Sequence, residues 1–407
     1  MASRCRAYRF LLQPTTKQKA RLDHLLAGQR ELYNAALEER RGAWRWEGRT
    51  ITKYEQFGTL AGLRDVRPDV LACGTTVCRG TLTRLDESFR AFYRRSRSGE
   101  KPGYPRFKGA GRWDSVQWPY QAGWKFDEDG RRVRIHGIGS IAVRRNRPLR
   151  GVAKTITIRR EGRRWFLTVF CVDVPAQPLP ATGRQVGVDL GVNHLATTSD
   201  GHHFPNYRVR ARAENHLTAA QRALSRKKRG GANRHRAAQR LGAIHRRIAR
   251  QRLDHAHKLS RALIDENDVI VHERLRVSNL TRRPPPRPNG SGGFQPNGAS
   301  AKAGLNRSIL DAGWGLFLRL LTYKAEDAGR TVIAVPPRHT SQVCRRCGHS
   351  ESGNRHGAVF RCLRCSHIDD ADINAARNIL RAGLAQREQS HEAEGAHASG
   401  SFSSAGP

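Results

Sequence analysis

Gln185-Val186-Gly187-Val188-Asp189-Leu190-Gly191 is the stretch on which the fold of this chain turns. Val186 and Val188 alternate with Gly187 and Asp189, so a strand here buries valines on one face and ends with a carboxylate on the other. The flanking glycines leave room for a substrate backbone to approach. Further on, Val269-Ile270-Val271-His272-Glu273 is a second apolar strand that ends in an acid. If the two strands are parallel neighbours joined by a crossover, Asp189 and Glu273 leave the sheet at the same end. A helix predicted over residues 371–384 begins with Asp372, and packing it on that sheet brings a third acid alongside.

Three converging carboxylates repel one another unless divalent cations neutralise them. Two magnesium ions so held activate a water and stabilise the leaving oxygen in phosphodiester cleavage. Taken singly, each acid also fits a structural role: Asp189 capping a turn, Glu273 pairing with an arginine, Asp372 capping a helix.

Just upstream lie Cys344-Arg-Arg-Cys347, fourteen residues, and Cys362-Leu-Arg-Cys365. Two CxxC pairs at this spacing read as a tetrathiolate zinc site, structural because its coordination is closed. Zinc takes sulfur and magnesium takes carboxylate oxygen, so the two sites are chemically distinct. His339, His349 and His367 are nearby, but four thiolates already complete a tetrahedron; they read as surface or phosphate-contacting residues.

The bulk composition agrees with work on a polyanion. The 407 residues carry 74 Lys+Arg against 35 Asp+Glu, a formal net charge of +39. Such a chain repels itself unless nucleic acid neutralises it. Residues 222–252 hold twelve Lys/Arg with Leu241, Ile244 and Ile248 at helical spacing, a pattern that buries one face and turns the other to phosphate. Arg226, Lys227, Lys228 and Arg229 are candidates there, as are Arg345 and Arg346 in the cysteine module, Arg106 and Lys108, and Lys17 and Lys53. No apolar run is long enough to span a bilayer, and residues 1–14 lack a signal peptide's apolar stretch. Cys5, Cys73, Cys78 and Cys171 are scattered, which fits a reducing cytoplasm.

Around this core the texture varies. Residues 6–12 read as a strand, two helical stretches follow to about residue 95, and residues 113–174 form short strands split by Gly and Pro turns, as in a small barrel. A Pro/Ala-rich linker at 175–183 is the domain boundary, 281–304 reads as a mobile loop, and the C-terminal residues lack periodicity.

Several segments resemble the TnpB family of transposon-encoded RNA-guided DNA nucleases, relatives of the type V CRISPR effectors. They are Tyr33-Asn34-Ala35-Ala36-Leu37, Pro105-Arg106-Phe107-Lys108, Gly187-Val188-Asp189-Leu190-Gly191, and Thr340-Ser341-Gln342-Val343-Cys344 through Asn374-Ala375-Ala376-Arg377-Asn378. The resemblance implies a multidomain α/β plus β chain. An RNase H-like RuvC nuclease (183–337 and 367–384) would hold an inserted zinc ribbon (338–366). Before it would come a β-barrel (1–14 and 110–182) carrying a helical recognition lobe (15–109), and a disordered tail (385–407) would follow. It implies Asp189, Glu273 and Asp372 as catalytic ligands of two Mg2+, and one structural Zn2+ on Cys344, Cys347, Cys362 and Cys365. A guide RNA and double-stranded target DNA would be the partners, with one or two protein copies per RNA. Ser366 departs from the glycine usual after the last cysteine pair. A nuclease-silent repressor and a strand-transfer transposase are the alternatives.

Overall fold

The structure, a computed structural model, describes residues 4–337 and 340–400, with backbone alone for Arg64 and residues 391–400. His339 lies outside the described residues. The chain divides into two compact units, Met1–Pro175 and Ala176–Pro407.

In the first unit Arg6–Gln13 lies inside a seven-stranded antiparallel sheet, between Arg164–Val172 and Gly139–Arg144. Period-two alternation buries Tyr8, Phe10 and Leu12 with Ile141, Ile156, Leu167 and Val169. Among the described residues the two outermost strands, Ser115–Trp118 and Trp124–Phe126, each pair with one inner neighbour, so the sheet is open at that edge where a small barrel was expected. Strands of four and three residues offer too few backbone groups to zip that edge.

Helix Thr16–Glu47 starts at a reciprocal Thr15/Gln18 capping box and stops at Gly48, whose φ of 61° suits glycine. It buries Leu22, Leu26, Tyr33 and Leu37, while helix Thr75–Arg97 buries Val77, Leu82 and Leu85.

The second unit is built on a five-stranded sheet in the order His203–Pro205, His194–Thr198, Gln185–Asp189, Val269–Glu273, Thr331–Val335. The first three strands are antiparallel neighbours and the last two join in parallel. On one face Val186, Val188 and Ile270 pack with Leu259 and Leu263 of helix Ala232–Glu266 and with Phe317 and Leu321 of helix Trp314–Ala328. The other face takes the final helix, Ala371–Gly400, through Val271, Val335 and Ile379.

Gly187 makes that approach possible. A Cβ on it would stand 2.0 Å from the carbonyl oxygen of Ala376 and 2.8 Å from the amide of Leu380. Gly187→Ala is therefore expected to lower stability by about 1–3 kcal/mol, as overpacking does, because neither obstructing atom can swing aside. A thermal melt against the parent chain reads this directly.

Two further sequence expectations change. Residues 281–304 are not one loop: Arg287–Pro288 and Phe294–Gln295 form a short hairpin, and helix Ala299–Ala312 begins inside the stretch. Alanines at 299, 301 and 303 favour that helix. Helix Ala299–Ala312 stops at Gly313, φ 75°, and helix Trp314–Ala328 starts directly after it. The expected tail is helical through residue 400, although residues 385–390 are exposed. Ala385, Gln386, Arg387 and Glu388 sustain it by helix propensity without burial; residues 401–407 lie outside the described residues.

Candidate active site

Parallel register opposes His272 to Val188, so the residues that follow, Glu273 and Asp189, stand side by side at the ends of neighbouring strands. Both lie on the face covered by the final helix. Asp372 sits in that helix's first turn, and residues 372, 376, 380 and 383 share one side of it. This is the side that meets the sheet, with Ala376 and Leu380 over Gly187 and Gly383 over Val271. Helical spacing thus delivers Asp372 to the strand ends.

The neighbouring acids have other work. Asp370 is the cap: its Oδ1 accepts from the amides of Asp372 at 2.9 Å and Ile373 at 3.0 Å. Asp369 is bound by Arg345 at 3.0 Å and Arg377 at 2.8 Å. Asp372 is the acid of this run whose charge acts on Asp189.

Electrostatics report the crowding. Burial pushes the Asp189 carboxyl up to about 7, reinforced by the charges of Glu273 and Asp372 and opposed by Arg355. Burial also raises Glu273, against a hydrogen bond from the Thr340 hydroxyl and the charge of Arg355. Arg355 itself donates to Asp372 Oδ1 at 2.7 Å. One guanidinium faces three carboxylates, so full ionisation needs further positive charge, a deficit that suits a divalent cation. The three carboxylates adjoin without closing fully: among the described residues only the four cysteines bring three or more ligand atoms within 4.8 Å of one another.

Arg355 and Thr340 were not legible in the sequence. Arg355 is one arginine among many, in the loop between the cysteine pairs, and nothing in its neighbours singles it out. Thr340 precedes the first cysteine and is buried against Glu273. Asn378, one turn beyond Asn374 on the final helix, holds the Thr340 carbonyl at 3.0 Å, and both asparagines grip the Val343 carbonyl. These amides tie the cysteine module to the carboxylates.

The module is a pair of matched turns. Gly348 N–H donates to the Cys344 carbonyl at 2.9 Å and Ser366 N–H to the Cys362 carbonyl at 3.0 Å. Cys344 and Cys365 sulfurs are 3.7 Å apart, and those of Cys347 and Cys362 3.6 Å. A tetrahedron with metal–sulfur bonds of about 2.3 Å has edges of about 3.8 Å, so the four thiols fit a soft tetrahedral ion.

Both turns need a left-handed residue after the second cysteine: Gly348 has φ 75° and Ser366 φ 52°. Serine is strained there. Ser366→Gly is expected to stabilise the module by about 1 kcal/mol, visible as slower release of metal to a chelator.

The candidate phosphate contacts are scattered. Arg226, Lys227, Lys228 and Arg229 are exposed at the turn between helices Glu214–Ser225 and Ala232–Glu266, while Ile248 is buried and Leu241 and Ile244 are half-buried on the latter. Arg106 and Arg346 are exposed and Lys53 half-buried. Arg345 is engaged with Asp369, and Lys108 lies 5.3 Å from the Tyr33 ring with its amide bonded to Asn34, so both have structural work. His349 pairs with Glu351 at 2.9 Å, and His367 lies within 3.6 Å of Asp369.

Family comparison meets the same regions. A family described as "Probable transposase" matches residues 169–283, one described as "Cas12f1-like, TNB domain" matches 314–379, and a "Helix-turn-helix domain" matches 1–49. Within that last match the described residues form a strand and a single long helix. An Escherichia coli K12 protein, "Putative RNA-guided DNA endonuclease InsQ", is 31% identical over 398 residues, spanning 94% of this chain and 93% of that one. A Streptomyces pristinaespiralis protein of like designation is 32% identical, spanning 93% and 90%. A solved Cas12f1-sgRNA-target DNA complex shares the fold at TM-score 0.51 and 12% identity, covering 89% of this chain and 82% of that chain. Identity sustained over nearly the whole length places the chain: it belongs to the TnpB family.

Proposed function

We propose that this chain is an RNA-guided DNA endonuclease that hydrolyses phosphodiester bonds at Asp189, Glu273 and Asp372. The observation that carries the reading is the meeting of these three half-buried acids around a single guanidinium. We read the sheet and its helices as an RNase H-like RuvC nuclease, the cysteine module as a zinc ribbon, and the first unit as a barrel-derived sheet bearing a recognition lobe. The names of the relatives support guide RNA and target DNA as partners.

Asp189, Glu273 and Asp372 would hold two magnesium ions, and Cys344, Cys347, Cys362 and Cys365 one zinc. The chemistry that magnesium supplies when bound is activation of water and relief of charge on the leaving oxygen. The chain's own part is positioning. Asp370 caps the helix and so frees Asp372; Thr340 fixes the Glu273 carboxylate; Arg355 brings a fixed positive charge beside the reacting phosphate. Exposed Arg226 to Arg229 supply phosphate contact, while base pairing would choose the sequence.

Sequencing the RNA that copurifies with the expressed chain identifies the guide. Replacing its guide segment is expected to move the cut to the new complementary duplex. Cutting that ignores the replacement overturns the reading. Joined rather than hydrolysed DNA ends in the same assay would favour a strand-transfer transposase.

A further inference from the structure

The helical part of the first unit contains a cavity of about 480 Å³ that the proposed cutting site does not use. Its rim is aromatic and open: Trp44 is 64% exposed and Tyr54 71%. Deeper in, Phe89 meets Tyr104 edge-on at 5.6 Å and stacks near Tyr93 at 6.3 Å. These rings brace one another, so flat aromatic walls exist before any ligand arrives.

Arg40 also lines the cavity, and it is 8% exposed. Its Nε donates to Gln56 at 2.9 Å and its Nη1 lies 3.5 Å from Asp86. Its Nη2 is buried with no hydrogen-bond partner among the described residues. Buried donors are rarely left so, because each forfeits its water without replacement. An acceptor reaching Arg40 would repair the deficit.

Charge narrows the ligand. Arg40, Arg49, Lys53 and Arg90 line the cavity against a single acid, Asp86. Arg90 shares Asp86 at 3.0 Å, and Arg49 contacts Glu47 and Glu55. An aromatic cage for a cation would carry the opposite sign, and a plain hydrocarbon would leave Nη2 unpaired. A planar ring with acceptors on its edge and a phosphate attached meets all three demands.

We propose that this cavity binds an unpaired nucleobase of a single-stranded nucleic acid. The base stacks among Trp44, Tyr54 and Tyr93, presents a carbonyl oxygen or ring nitrogen to Arg40, and leaves its phosphate by Lys53 and Arg49. This site lies within the first unit and does not depend on the cutting chemistry.

Photocrosslinking the full chain to single strands carrying 5-iodouracil, one RNA and one DNA, followed by peptide mapping, tests it. Adducts are expected on Trp44, Tyr54 or Tyr93, and the arm that gives them names the strand. Trp44→Ala and Tyr93→Ala alter partly exposed side chains, and each is expected to cut those adducts at least fivefold while adducts elsewhere persist. Arg40→Gln is expected to lower them as well. Adducts confined to other regions, or undiminished in all three variants, overturn the proposal.

Discussion

Asp189→Asn is expected to reduce DNA cleavage by about a thousandfold or more, as removal of a central catalytic group does, with binding of the copurifying RNA unchanged. The substitution keeps size and shape but takes away one of the charges that the site concentrates. A second readout follows from the raised carboxyl. Asp189 titrates near 7 in the folded chain against about 3.9 unfolded. Between those values the folded chain holds the extra proton, so metal-free stability falls as pH rises from about 4 to about 7 and levels off above that. Ionisation there costs a few kcal/mol. The melting temperature of Asp189→Asn without metal is therefore expected to drop less between pH 5 and pH 8 than that of the parent. Equal drops would place Asp189 in an ordinary solvated setting.

The second large effect belongs to the cysteines. Structural zinc contributes about 10 kcal/mol or more to small thiolate modules, and the core of this one is little more than Cys344, Phe360, Cys362 and Ala371. Cys362→Ser, or stripping the metal, is expected to unfold residues 340–370 while the five-stranded sheet stays intact. Hydrogen exchange reads both regions in one experiment. Cleavage is expected to fall with the module, because Thr340 leaves Glu273 and Arg355 leaves Asp372. A module that stays protected after the substitution would mean that packing, not metal, holds it.

How much was legible in the sequence depended on the range of the determinant. Asp189 and Glu273 were readable because period-two alternation and a strand end are local features, and parallel pairing makes such ends neighbours. Asp372 followed from helical spacing. Asp370, two residues before it, is taken up by two amide hydrogen bonds at the helix start, a role that only the folded chain displays. Arg355 and Thr340 were invisible because each acts across a tertiary contact far from its partner in sequence. The helix beginning at Ala299 was hidden by the Pro, Gly and Asn that precede it. The helical tail shows the reverse: composition without apolar periodicity says nothing against a helix, which here is exposed over residues 385–390.

Soaking crystals of the guide-bound protein with Mn2+ and collecting anomalous diffraction shows whether the three carboxylates share cations. Anomalous peaks ligated jointly by Asp189, Glu273 and Asp372, and absent in Asp189→Asn, are expected. Peaks elsewhere, with these three side chains unligated in a preparation that cuts DNA, would contradict such sharing.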